Sequence, residues 1–91
     1  MFISKEKKEK ISEQILAYLY SVNPKPVFIS NIAKEIARDE EFIKNLLLDL
    51  KKNKFVIEIK KNSKGINYIK RSRWKLTDEV YQAYKSKQIL T

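Results

Sequence analysis

The sequence predicts a mainly helical α+β domain: a three-helix core, a small antiparallel β-hairpin and a closing carboxy-terminal helix. Apolar residues recur at helical spacing over 4–22, 31–37 and 39–52; the period drops to two beyond residue 53; and helical patterning returns over 78–90. With 91 residues, one glycine and two prolines, the chain has the size of one domain, 1–91, and little material for long irregular loops.

Over 4–22, Ile11, Ile15, Tyr18, Leu19 and Val22 fall at the i, i+4, i+7, i+8 spacing that gives a helix one buried stripe. Its first turns, Lys5 to Lys10, have no apolar face, so they project into solvent or lie beside a partner, with Phe2 and Ile3 as an anchor. Asn23 and Pro24 stop the helix, because the residue before a proline is pushed out of the helical region. Val27, Phe28 and Ile29 then form a short extended piece suited to a third, edge strand.

Ser30 reads as the N-cap of helix two, 31–37, whose apolar side is Ile32, Ala33, Ile36 and Ala37. Asp39 caps helix three, 39–52, where Glu40 and Glu41 oppose the positive end of the macrodipole and Phe42, Ile43, Leu46, Leu47 and Leu50 form the core face. Two helices joined by so short a turn make a helix-turn-helix pair. Asn53 is expected to close helix three in a left-handed conformation.

Phe55, Ile57 and Ile59 then alternate with Val56, Glu58 and Lys60, the first strand of a hairpin over 55–76. Lys61 to Gly65 is the turn, with Gly65 suited to a positive φ. The return strand begins at Ile66 and keeps Tyr68, Trp74 and Leu76 on its face, with Lys70 and Ser72 interrupting it as at a bulge. Thr77 caps the last helix, 78–90, whose first turn carries Asp78 and Glu79.

The charge is concentrated in one place. Residues 51–75 hold Lys51, Lys52, Lys54, Lys60, Lys61, Lys64, Lys70, Arg71, Arg73 and Lys75 against the single acid Glu58, an excess of nine that equals the formal net charge of the whole chain. A neutral body bearing one cationic hairpin is the arrangement of a protein that grips a polyanion. Lys51, Lys52 and Lys54 also suit the negative end of helix three without any ligand, so the functional charge narrows to Lys60 through Arg73. Tyr68 and Trp74 lie among these bases, where aromatic rings can stack on unpaired bases. Their place beside Ile66 and Leu76 favours a packed sheet instead.

The chain contains no cysteine and no histidine, which removes disulfides, Cys/His zinc sites, thiol nucleophiles and imidazole bases together. Asp39, Glu40, Glu41 and Asp49 cluster on one helix without metal-ligand spacing. The expectation is a protein that is not an enzyme, with no catalytic residue, cofactor, metal or evident small-molecule ligand. No apolar run reaches the roughly 18 residues of a membrane span, and the amino terminus turns charged at Lys5; the expected location is cytoplasmic, with no membrane partner.

The order helix, short strand, helix, helix, strand, turn, strand, helix resembles the winged helix-turn-helix superfamily, in particular small prokaryotic and archaeal regulators of the MarR, ArsR and PadR type. The resemblance covers about Ile11 to Tyr84 and is carried by ISNIAKEIARDEEFIKNLLLDLKKNKFVIEIK and by RWKLTDEVYQAY, with its aromatic-x-Leu-Thr lead into a final helix. It implies double-stranded DNA as the partner, helix three in a major groove, the turn near 62–64 on phosphates or in a minor groove, and a two-fold dimer. On helix three, Lys44 and Asn45 are the candidate contacts, since Asn can pair bidentately with adenine. Glu40 and Glu41 suit the dipole better than base reading. Lys60, Lys61, Asn62, Lys64, Lys70, Arg71 and Arg73 are the candidate wing contacts, with Arg71 or Arg73 for a narrow minor groove. Val80, Tyr81, Tyr84, Ile89 and Leu90 give the last helix more apolar area than it needs alone and are the candidate homodimer interface. The same fold also serves modules without operator specificity that bind RNA, assemble nucleoprotein, or dock on a protein through a residue such as Leu48.

Overall fold

The computed structural model describes residues 5–60 and 72–90, and side chains as far as Lys87. Its elements are α1 (Lys5–Val22), β1 (Val27–Phe28), α2 (Ile29–Ile36), α3 (Glu40–Lys52), β2 (Val56–Ile59), β3 (Arg73–Leu76) and α4 (Asp78–Leu90). The expected positions of Phe2, Ile3, the turn at 61–65 and the strand start at Ile66 lie outside the described residues.

α1 buries Ile11, Ile15 and Leu19 as its spacing requires, and also Leu16, while Tyr18 and Val22 are partly buried at the edges of the stripe. The Lys5 to Lys10 turns are exposed. β1 is the expected edge strand: the antiparallel sheet has the order β1-β3-β2, so β3 is central, pairing Val27 with Trp74 on one side and Val56 with Leu76 on the other.

This sheet corrects the start of α2. Ser30 is not its N-cap; the cap is Phe28, extended at φ −80° and ψ 157° and offering no side-chain bond. Pairing of Phe28 with Arg73 holds the backbone extended up to that residue, so the helix starts directly out of the strand and Ser30 falls inside its first turn. α2 ends at Ile36, because Ala37 takes the left-handed region at φ 61° and ψ 48°.

Asp39 caps α3 as expected, its Oδ2 accepting from the Phe42 N–H at 3.3 Å. Ile43, Leu46, Leu47 and Leu50 are buried and Phe42 is half-buried. The helix end differs from expectation: Asn53 sits at φ −88° and ψ 6°, and it is Lys54 that is left-handed, at φ 65°. The bonds Phe55 N–H to Leu50 O (2.9 Å) and Lys54 N–H to Lys51 O (3.0 Å) form a Schellman closure, which puts the left-handed residue one place later.

That closure fixes which side of β2 faces inward. Of the two alternating sets, Val56 is buried, while Phe55 and Ile57 are 41% and 42% exposed. The more apolar set faces out because Val56 lies opposite Leu76 on the core side of β3. Trp74 and Leu76 do share one buried face. Thr77 caps α4, its Oγ1 accepting from the Val80 N–H at 3.3 Å, and the Tyr81 and Tyr84 rings lie against Tyr20 at centroid distances of 5.3 and 5.7 Å. No polar or charged residue is buried among the described residues.

Candidate nucleic-acid interface

Once its core stripe is packed, α3 leaves one face to solvent, carrying Lys44, Asn45, Leu48 and Asp49. The helical period alone puts Lys44 and Leu48 on one line, four residues apart. Leu48 is 43% exposed, and Glu40 and Glu41 stand at the helix start, where the macrodipole favours negative charge. Between this face, the start of α2 and the paired strands lies an open cleft of about 310 Å³, lined among others by Ser30, Lys44, Leu48, Glu58, Ser72 and Trp74. The structure thus brings Lys44 next to the root of the basic segment.

That root is organised by Glu58, which lies opposite Trp74 in the β2–β3 ladder. Its side chain is only 13% exposed; Oε1 accepts from Lys51 Nζ at 2.8 Å and stands 3.9 Å from Lys60 Nζ, and Oε2 accepts from Ser72 Oγ. Burial works against its ionisation, but the hydrogen bonds from Lys51 and Ser72 and the charges of Lys51 and Lys60 outweigh it, so its pKa lies below the ordinary value. Sequence reasoning noticed Glu58 only as the single acid in the segment. That isolation was the available clue, since one carboxylate among ten bases finds partners wherever the strand puts it.

The candidate residues fall into three groups. Lys44, Asn45 and Lys60 are exposed. Arg73 is half-buried in the central strand, between Ile59 and Phe28. Lys61, Asn62, Lys64, Lys70 and Arg71 lie outside the described residues, as does Tyr68. Trp74, 1% exposed, is part of the core and presents no stacking surface.

Of the candidate dimer residues, Val80, Tyr81 and Tyr84 are partly buried against the chain's own core. Val80 and Tyr84 also line an open groove between α1 and α4, together with Leu16, Ala17 and Phe55. Burial, and then the charge of Glu13, push the Tyr84 phenol pKa up. The side chains of Ile89 and Leu90 lie outside the described set. Among the described residues no acidic cluster could hold a metal ion, and no helix is long and apolar enough to cross a membrane.

A helix-turn-helix pair on a helical core, flanked by a three-stranded antiparallel sheet with α3 facing outward, is a winged-helix domain. No protein-family model matches the sequence, and no curated protein is similar enough in sequence to count as a relative. Solved structures with this fold include S. aureus MepR in complex with DNA, with a TM-score of 0.69 and 22% identity over 89% of this chain and 66% of that one. ZitR of Lactococcus lactis gives a TM-score of 0.70 at 15% identity, over 92% of this chain and 58% of that one. The Zalpha domain of Carassius auratus PKZ, in complex with Z-DNA, gives 0.61 at 21% identity over 78% of this chain and 98% of that one. Such identities establish a shared fold. The chain spans less than two-thirds of the MepR and ZitR chains and matches nearly all of the Zalpha domain.

Proposed function

We propose that the protein is a non-enzymatic, cytoplasmic, double-stranded DNA-binding protein that regulates transcription. The observation that carries this is the distribution of charge: the chain's entire excess of nine sits in residues 51–75, and the described ends of that segment, at Glu58 and Ser72, line one cleft with Lys44 and Leu48 of the exposed α3 face. In this reading Lys44 and Asn45 enter the major groove, while Lys60 and the bases that follow it, through Arg73, hold phosphates. Asn45 is the candidate base reader and the lysines set register. The likeness to MepR and to a Zalpha domain, both solved with DNA, supports a duplex as the partner. A homodimer built through α4 would present two wings to one duplex.

Two measurements test this. Selection from random duplexes at physiological salt should enrich a palindrome. If a dimer makes about six to eight phosphate contacts, log affinity against log salt should fall with a slope on the order of −5 to −7. A flat salt response refutes the proposal.

The exposure of Leu48 in the middle of the α3 face favours one second reading, a winged-helix module without operator specificity that binds RNA or docks on a protein. Competition of a labelled duplex by random DNA, structured RNA, single strand and a left-handed duplex separates the two. Equal competition by all of them removes the regulator.

A further inference from the structure

The run of bases that dominates the chain leaves β2 through Lys60, just after Ile59, and the described chain resumes at Ser72, just before Arg73 opens β3. Both ends converge on one carboxylate. Lys60 lies 3.9 Å from Glu58 Oε1, Ser72 donates to Oε2, and the third partner, Lys51 at 2.8 Å, comes from the last turn of α3. Glu58 therefore joins the end of the outward-facing helix to the point where the basic segment departs and to the point where it returns.

We infer that Glu58 is a positioning residue for nucleic-acid binding, which sets the root of the basic wing against the carboxy-terminal end of α3. The inference rests on the DNA-binding reading above. Its physical basis is a conflict of sign. A negative charge among ten bases repels phosphate, so on electrostatics alone removing it should strengthen binding. Yet this acid is neither solvated nor free to turn away: its side chain is 13% exposed and hydrogen-bonded by Lys51 of α3 and by Ser72, which leads into β3. The carboxylate draws Lys51 and Lys60 to Oε1 by its charge while Oε2 accepts from Ser72; a neutral amide keeps one accepting oxygen and loses the charge that holds both lysines, even where the Ser72 hydroxyl turns to accept from its N–H. The arrangement thus uses the acid's charge to hold Lys51 and Lys60 at the root of the segment, in a place where that same charge is unfavourable for the ligand.

The test compares parent, Glu58→Gln and Ser72→Ala for binding to a selected duplex between about 0.05 and 0.4 M salt, at a temperature where circular dichroism shows all three folded. Counterion release makes one phosphate contact worth about eightfold in affinity near 0.1 M salt, from a slope of about −0.9 per contact. If Glu58 positions the wing, E58Q weakens binding by about three- to tenfold although the chain loses a negative charge, and its salt slope becomes shallower by about one contact. Ser72→Ala, which leaves the net charge unchanged, weakens binding in the same direction. A change in stability alone would not move the salt slope of folded protein. If E58Q binds as tightly as the parent or tighter, with an equal or steeper slope, and Ser72→Ala binds like the parent, the inference is overturned while the DNA-binding reading stands. A parent protein that binds no duplex refutes that reading itself, and the inference with it.

Discussion

Ala37→Gly should stabilise the protein. Ala37 ends α2 at φ 61° and ψ 48°, where its Cβ crowds the backbone, a strain of about 1–2 kcal/mol for an L-residue. Glycine removes the strain but widens the unfolded ensemble, which returns roughly 0.5–1 kcal/mol. The side chain is exposed, so no packing is lost, and the backbone bonds from Ala37 and Arg38 to Ala33 O do not involve it. The net gain is about 0.5–1 kcal/mol, or about 2–8 °C in Tm for a domain of this size. Urea denaturation followed by circular dichroism measures it. Lys54→Gly, at φ 65° in the turn on the other side of α3, should give a similar gain, and the two should add within about 0.5 kcal/mol. Ala37→Val provides the opposite sign, because a branched Cβ worsens the clash. If Ala37→Gly is no more stable than the parent and Ala37→Val is no less, the left-handed cap is not where strain is held.

Thr77 ties three segments: its Oγ1 accepts from Val80 N–H and donates to the Lys54 carbonyl at 3.1 Å, and its own N–H donates to Phe55 O. Thr77→Val should cost about 1–2 kcal/mol in denaturant melts, with Thr77→Ser close to the parent. Because the Glu58 pKa is depressed in the fold, its contribution to stability is complete above its ordinary value of 4.5 and is lost as pH falls through the lower folded value. The acid limb of a stability–pH curve should therefore be shallower in Glu58→Gln, and identical limbs would deny the linkage. On DNA, Lys44→Gln should weaken binding to all sequences alike and reduce the salt slope by about one, whereas Asn45→Ala should cost about 1–3 kcal/mol only at sites that offer adenine to it. Affinity profiles over a mutated operator distinguish the two patterns.

The elements were legible because helical and strand periods differ and because caps are local. The stripe of Ile43, Leu46, Leu47 and Leu50 and the Asp39 and Thr77 caps all follow from residues within a few positions of one another. The errors came where a distant partner decides. Ser30 is a good cap by type, but pairing of Phe28 with Arg73 sets where α2 can start. Asn53 favours a left-handed turn by type, but the bond from Phe55 to Leu50 hands that conformation to Lys54. The site was legible in composition and charge, and much less so in arrangement.

By itself the sequence determined the number and order of the helices, the neutral body and the concentration of nine excess charges in residues 51–75, since each depends only on residue types and spacing along the chain. The tertiary structure decided what those residues face. It turned Val56 inward and left Phe55 and Ile57 outside. It also gathered Lys51, Lys60 and Ser72 around Glu58. These are outcomes of strand register and of helix-to-sheet contact. A shift of one residue would exchange every inward and outward side chain, and no local preference in the chain is strong enough to choose between the two.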